Sequence, residues 1–315
     1  FIGSHVVLEL LNRGIHVRAM MRDDSLSEMF PENELLEVVK ADLFDVNSLR
    51  IAVEGCNDVI HCAASLNIGV KDVKAEVVDP SIIGVENLCS VMGDVKRVIH
   101  TSSVAAILET DEDKEYFDET DWSDVESRQI GSYAKSKTLA EKAAWQFLKE
   151  NGNPFELAVI NPALVTGPTL TGDLGESNKA IEMVVTGKMP VAIPMQFGYV
   201  DVRDVATAHI LAIQNPSSNG ERFALSEKDL SYKKIAKLLK DNGFKKAPSI
   251  GVPVWLAKFL ANFNKELKVT VPFMGKVRSV SKSTKAKYVL GWNPRPAEES
   301  ILDVANQIKE MGLIK

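Results

Sequence analysis

Tyr133 and Lys137 stand four residues apart in Ser132-Tyr133-Ala134-Lys135-Ser136-Lys137, at the head of an amphipathic run. Four residues make one helical turn, so this spacing puts a phenol and an ammonium on one face. A phenol with a pKa of about 10 is a poor acid or base at neutral pH. A nearby cation favours the phenolate and draws that pKa toward the range where it can exchange a proton with a ligand. A solvated Tyr and Lys one turn apart would share the same spacing. Upstream, Val98-Ile99-His100-Thr101-Ser102-Ser103 is an apolar run that ends in hydroxyls. At the carboxyl end of a parallel strand, Ser103 could hold a carbonyl oxygen beside the Tyr133 hydroxyl, with Ser102 in support. Serines that satisfy their own backbone in a turn are the plainer alternative.

The elements that must position these groups follow from the hydrophobic pattern. Strands are expected over 15–21, 35–40, 58–62, 97–100 and 155–160, with helices over 46–53, 73–92 and 133–150. Strand–helix alternation of this kind predicts an α/β fold, a parallel sheet with helices on both faces and ligands along one line of strand ends. Beyond residue 161 the alternation weakens. Pro and Gly punctuate 162–198, and helices are expected over 232–242, 254–262 and 298–311. The expected division is a nucleotide-binding domain over 1–161 and a smaller, mostly helical substrate lobe over 162–315, with segments crossing back.

Composition narrows the function. The 315 residues are 45% hydrophobic and 25% charged, ordinary for a soluble globular enzyme that needs no disulfide or metal staple. Cys56, Cys62 and Cys89 show no Cys-x-x-Cys spacing, which fits free thiols in a reducing, cytoplasmic setting. The histidines are scattered, so no metal is expected. A net charge of −6 argues against nucleic acid or anionic membranes as partners, and no apolar run approaches the roughly 20 residues that cross a bilayer. A small-molecule partner is expected, bound by a monomer or homodimer.

With these residues in view, the chain resembles the extended short-chain dehydrogenase/reductase superfamily, also known as the NAD-dependent epimerase/dehydratase superfamily. Phe1-Ile2-Gly3 resembles the tail of its Gly-x-x-Gly-Phe-Ile-Gly turn, so its first strand and earlier glycines are expected to be missing here. Ile60-His61-Cys62-Ala63-Ala64 is similar to its wall beside the cofactor, and Asn87 falls where the family has an Asn. Tyr133-x-x-x-Lys137 matches its catalytic pair. Asn161-Pro162-Ala163-Leu164-Val165-Thr166-Gly167-Pro168 resembles its Arg-Pro-x-x-Val-x-Gly-Pro loop, with Asn161 in place of Arg. Tyr199-Val200-Asp201-Val202-Arg203-Asp204-Val205-Ala206 resembles its Phe-Val-x-Val-x-Asp-Val-Ala segment. The resemblance implies a doubly wound Rossmann sheet, with catalysis by Ser103, Tyr133 and Lys137. It implies cofactor contacts from Phe1, Ile2, Gly3, Asp42, Leu43, Cys62, Ala63, Ala64, Thr101, Ser102, Tyr133, Lys137, Pro162, Leu164 and Val165. Substrate contacts would come from Ser103, Ile107 and Tyr133.

In Rossmann folds an acid after the second strand binds the ribose 2′-hydroxyl, whereas an Arg accommodates a 2′-phosphate. Here Met21 stands at the acid position and Arg22 follows. The segment resembles the Val-Arg-Ala-x-Val-Arg-Asp of the dihydroflavonol reductase branch, which is associated with NADP. NADP(H) is therefore expected, with Arg22 on the phosphate; Asp23 and Asp24 keep NAD open. Ser102-Ser103-Val104 departs from the Thr-Asp-Glu of sugar-nucleotide dehydratases, and Ala106-Ile107-Leu108 departs from the Tyr-Gly of epimerases. The expectation is NADPH-dependent reduction of a small aldehyde, ketone or 2-oxoaldehyde, in the manner of the methylglyoxal/ketone reductases of that branch. The alternatives are an NAD-dependent sugar-nucleotide epimerase and a non-catalytic dinucleotide sensor.

Overall fold

The computed structural model describes residues 1–22, 30, 32–63, 72–111, 114–127, 130–263, 267–268, 270–280 and 283–314. Helix α1 (Ile2–Asn12) buries Val6 and Leu11, and His5 Nε2 lies 2.8 Å from the Pro168 carbonyl. Gly14, at φ 71°, turns the chain into β1 (Val17–Met21), a conformation that costs glycine little. Strand β2 (Leu36–Lys40) leads to α2 (Val46–Val53), whose N-cap Asp45 accepts from the amides of Asn47 and Ser48. Then come β3 (Asp58–His61), α3 (Asp79–Ser90), β4 (Arg97–Thr101), the short α4 (Ala105–Leu108) and β5 (Tyr116–Phe117). The helix expected over 73–92 is divided, because Lys74–Val78 forms a π-helical turn before α3.

Helix α5 (Ser132–Glu150) buries Ala134, Lys137, Ala140, Glu141, Ala144 and Leu148, the three- and four-residue spacing of one inward face. Beyond it lie β6 (Glu156–Pro162), β7 (Leu164–Thr166), α6 (Gly175–Thr186), β8 (Gln196–Asp201), α7 (Val202–Gln214), β9 (Arg222–Leu225) and β10 (Lys228–Ser231). The chain closes with α8 (Tyr232–Asp241), α9 (Val254–Leu260), β11 (Ser279–Val280), α10 (Thr284–Leu290) and α11 (Ala297–Glu310).

Strands β3, β4, β6 and β9 form an all-parallel sheet in the order β3-β4-β6-β9, and β1 pairs in parallel with β2. This is the parallel, helix-flanked architecture of a Rossmann fold. The central strands are buried on both faces, with Ile99, Ala158 and Ile160 fully enclosed. Segment 202–225 returns to that sheet: α7 packs on α1, and β9 extends the sheet past β6. The later helices enclose a core of their own, with Ile181, Val184, Ile235, Leu239, Ile301 and Val304 at its centre. Each such side chain contributes about 1.5–3 kcal/mol by leaving water.

The segment 199–206 proves to be a joint. Asp201 caps α7 by accepting from Arg203 N at 2.8 Å, and its carboxylate pairs with the Arg203 guanidinium, which also grips Asp303 on α11. Asp204 accepts from Arg295 N at 2.8 Å. Gly167 explains the Gly-Pro of the preceding loop. At φ 125° it presses so close that a Cβ would lie 2.9 Å from Val202 Cγ1. Among the described residues no helix is long and apolar enough to cross a membrane, and no metal-ligating cluster of three or more side chains forms.

Candidate active site

A cleft of about 1820 Å3 extends along the length of β1 and β3, which do not pair with each other, and past the carboxyl ends of β4 and β6. Strand β4 ends at Thr101, and the chain continues through Ser102 and Ser103, which stay buried beside the cleft. Ser103 is fixed by its backbone: its Oγ accepts from the Ala105 amide at 3.1 Å and its carbonyl accepts from Asn161 Nδ2 at 3.2 Å. Across from it, Tyr133 occupies the first turn of α5, 36% exposed, with the Ser103 hydroxyl near enough to lower the pKa of its phenol. The start of α5 has no side-chain cap of its own. Instead the Glu109 carboxylate accepts from the Gly131 amide at 2.9 Å. Burial pushes the Glu109 carboxyl up, partly offset by that amide and by Arg278 and Lys276.

Lys137 is buried one turn below Tyr133, and its Nζ donates to the Thr101 carbonyl at 3.1 Å. Burial lowers its pKa to about 8, although Cys62 and Glu141 pull the other way. The expected downward pull of Lys137 on the phenol is not what the structure shows. Burial raises the Tyr133 hydroxyl, Ser103 lowers it, and the ammonium is directed to the end of β4. A phenol held up in this way is protonated at neutral pH and can donate a hydrogen bond.

The other expected site residues fall into two groups. Phe1, Ile2, Gly3, Arg22, Leu43, Cys62, Ala63, Ser102, Pro162, Leu164 and Val165 all line the cleft. Ala64 lies outside the described residues, as do Asp23 and Asp24. Thr101, Asp42 and Ile107 stand away from it. Thr101 Oγ1 is 2.7 Å from His209 Nε2 and 3.4 Å from Cys62 Sγ, so its hydroxyl is occupied beneath the surface. Asp42 turns its carboxylate to the Phe44 amide at 2.8 Å, and Leu43 faces the cleft in its place. Ile107 is fully buried against Phe117, Ala224 and Val280, because α4 turns it toward the core. Val104, Ala105 and Leu108 form the apolar wall where Ile107 was expected.

Two features suit a phosphorylated dinucleotide. The first turn of α1 carries no side-chain cap, and Phe1 to Ser4 line the cleft, so its free amides and positive dipole end can meet a phosphate. Ser102 Oγ is buried with no partner among the described residues, a hydroxyl ready for a ligand's polar edge. Arg22, exposed at the end of β1, supplies a cation where the strand ends.

Residues 1–225 match the model of the NAD dependent epimerase/dehydratase family. The chain belongs to that family. Within it, the chain is 35% identical to cinnamoyl-CoA reductase CAD2 of Medicago truncatula, over 98% of this chain and 93% of that protein. It is 34% identical to dihydroflavonol 4-reductase of Arabidopsis thaliana, over 80% of this chain and 69% of the relative. In structure it is similar to yeast methylglyoxal/isovaleraldehyde reductase Gre2 complexed with NADPH. That similarity has a TM-score of 0.83 at 25% identity, covering 100% of this chain and 97% of the other.

Four residues of this epimerase/dehydratase-family site were not picked out as functional by sequence. Glu109 caps α5 from a loop, and Glu141, Arg222 and His209 lie under the reactive wall. Only Glu141 had a readable signal: it is four residues past Lys137, on the face the helix buries.

Proposed function

We propose that this chain reduces an aldehyde or ketone to the alcohol with NADPH, using Tyr133 as the proton donor. The observation that carries this is the convergence of Ser103, Tyr133 and Lys137 on the wall of the cleft just beyond the carboxyl end of β4. The reductases among its relatives support it. NADPH, when bound, supplies the hydride for the carbonyl carbon. Ser103 and Tyr133 direct hydroxyls at the carbonyl oxygen, where negative charge grows as the carbon is reduced. Tyr133 gives its proton to that oxygen, and the phenolate left behind is steadied by Ser103 until solvent reprotonates it. Lys137 fixes the end of β4 through the Thr101 carbonyl and keeps a positive charge beneath the site below a pH of about 8. Phe1 to Ser4 would take the pyrophosphate and Arg22 the 2′-phosphate. Val104, Ala105, Leu108, Phe197 and Phe273 give the substrate end an apolar lining, suited to small or aromatic carbonyl compounds.

The test follows NADPH and NADH oxidation with methylglyoxal, aromatic aldehydes, simple ketones, a dihydroflavonol and a UDP-sugar. Turnover with NADPH should fall by about a hundredfold or more in Tyr133→Phe, while NADPH affinity stays within about twofold. Retained turnover in that variant, or interconversion of the UDP-sugar without net oxidation, would overturn the assignment.

A further inference from the structure

Behind the reactive wall lies a buried polar chain that the proposed reaction does not itself use. Glu141 is fully enclosed on α5, one turn beyond Lys137. Its Oε1 accepts from Arg222 Nε at 2.5 Å, and its Oε2 accepts from Asn161 Nδ2 at 2.9 Å. The same Asn161 nitrogen donates to the Ser103 carbonyl at 3.2 Å. Arg222 is itself locked in place. Its guanidinium lies 3.8 Å over the Trp122 ring, and its Nη1 donates to the carbonyls of Glu119 at 2.9 Å and Asp121 at 2.6 Å. Strand register explains the convergence. Val159 pairs with Arg222 and Asn161 with Ala224, so both polar side chains leave β6 and β9 on the face that α5 covers.

A buried carboxylate and guanidinium add little stability over apolar residues of the same volume, so an arrangement this enclosed invites a role other than stability. We propose that Glu141 is a positioning residue of the reaction centre, acting on Ser103 through Asn161 and on Lys137 as a counter-charge one helical turn away. Its reach in two directions is what a merely structural ion pair would lack. Through Asn161 it sets where the Ser103 backbone ends, and so where the hydroxyl meets the substrate oxygen. Along α5 it sits beside a lysine that burial alone would strip of its proton more readily. The other titratable groups around Lys137 are Tyr133 one turn before it on α5, His61 on β3 with Cys62 just after it, and His100 on β4. Burial pushes the Cys62 thiol up and both imidazoles down, so these three stay uncharged around neutral pH while Glu141 supplies the anion.

This inference rests on carbonyl reduction at Tyr133, and the experiment separates the two. Asn161→Thr and Asn161→Val are nearly equal in shape and differ in one donor. The Val variant should lose about ten- to a hundredfold in kcat, counted per NADPH-binding site, and the Thr variant should recover part of it. Glu141→Gln should move the alkaline limb of kcat to lower pH by about one unit, because Lys137 loses its anion and Arg222 is left uncompensated, both of which favour the neutral amine. Equal kcat in the Thr and Val variants would overturn the proposal, even if Glu141→Gln fails to fold. So would an unmoved alkaline limb in a folded Glu141→Gln protein. If Tyr133→Phe keeps its turnover, it is the reaction assignment that falls instead.

Discussion

The two walls of the cleft are built on different principles. On the wall formed by β4, α5 and β6, polar side chains are buried against one another: Lys137, Glu141, Asn161, Thr101, Arg222 and His209 are all at most 9% exposed. Nearly every contact there joins residues far apart in sequence, so the wall exists only once the sheet has formed. On the wall formed by β1 and β2, the strands are half open. Val38 is 37% exposed, Phe44 after β2 is 58% exposed, and Arg18 meets Glu37 in a partly exposed pair. The contrast follows strand pairing: β4 and β6 are bonded on both sides, whereas β1 pairs only with β2. Atoms that exchange a proton must be held to fractions of an ångström by a packed shell, whereas a nucleotide's far end needs an apolar slot and a well-placed cation.

The largest expected effect breaks the comparison most directly. Ile160 is fully buried on β6, between β4 and β9. Ile160→Ala should cost about 2–5 kcal/mol in chemical unfolding, from lost burial and the cavity left behind. Val38→Ala on β2 should stay within about 0.5 kcal/mol. Equal costs would show that the two walls are equally packed.

Acid should find the same difference. His61 and His209 are held neutral by burial, each lowered to about 4, and His100 lies well below its ordinary value. The unfolded chain takes up protons on these rings below about pH 6.5, while the folded chain resists until about pH 4, so stability falls as pH drops through that window. At pH 5 His61 and His209 should each account for about 2 kcal/mol. Urea midpoints should therefore decline clearly between pH 7 and pH 5, and less steeply in His209→Asn. A flat profile would mean that these imidazoles are already solvated under the catalytic wall.

What the sequence disclosed follows the same boundary. Tyr133 and Lys137 were legible because helical spacing alone puts them on one face, and the strand ending at Thr101 was legible from its apolar run. Five strands fell within two residues of expectation for that reason. Ile107 was misplaced because a four-residue helix decides which way it faces, and its pattern carries no phase. The π-helical turn at Lys74–Val78 was invisible because one added residue per turn leaves the apolar spacing almost unchanged. The spacing of Glu141 from Lys137 puts it on the buried face of α5, but nothing local announces its partners. Arg222 and Asn161 come to it only through the order β4-β6-β9, which is a property of the folded sheet.

The open wall offers the smallest test. Arg22 follows β1 at the lip of the cleft, exposed, where loss of its side chain disturbs no core. If it meets the 2′-phosphate, Arg22→Ala should raise the KM for NADPH by about tenfold, the equivalent of one charge-assisted contact at a solvated site. KM for NADH should hardly move, because NADH has no phosphate there for the guanidinium to meet. The kcat with NADPH should also stay near its starting value, since the change lies at the end of the cleft that does not touch the reacting atoms. A fall in kcat with both nucleotides would tie the β1 end to the catalytic wall and remove the division between them. A selective rise in KM for NADPH would place cofactor choice on the half-exposed strand and the chemistry on the buried one.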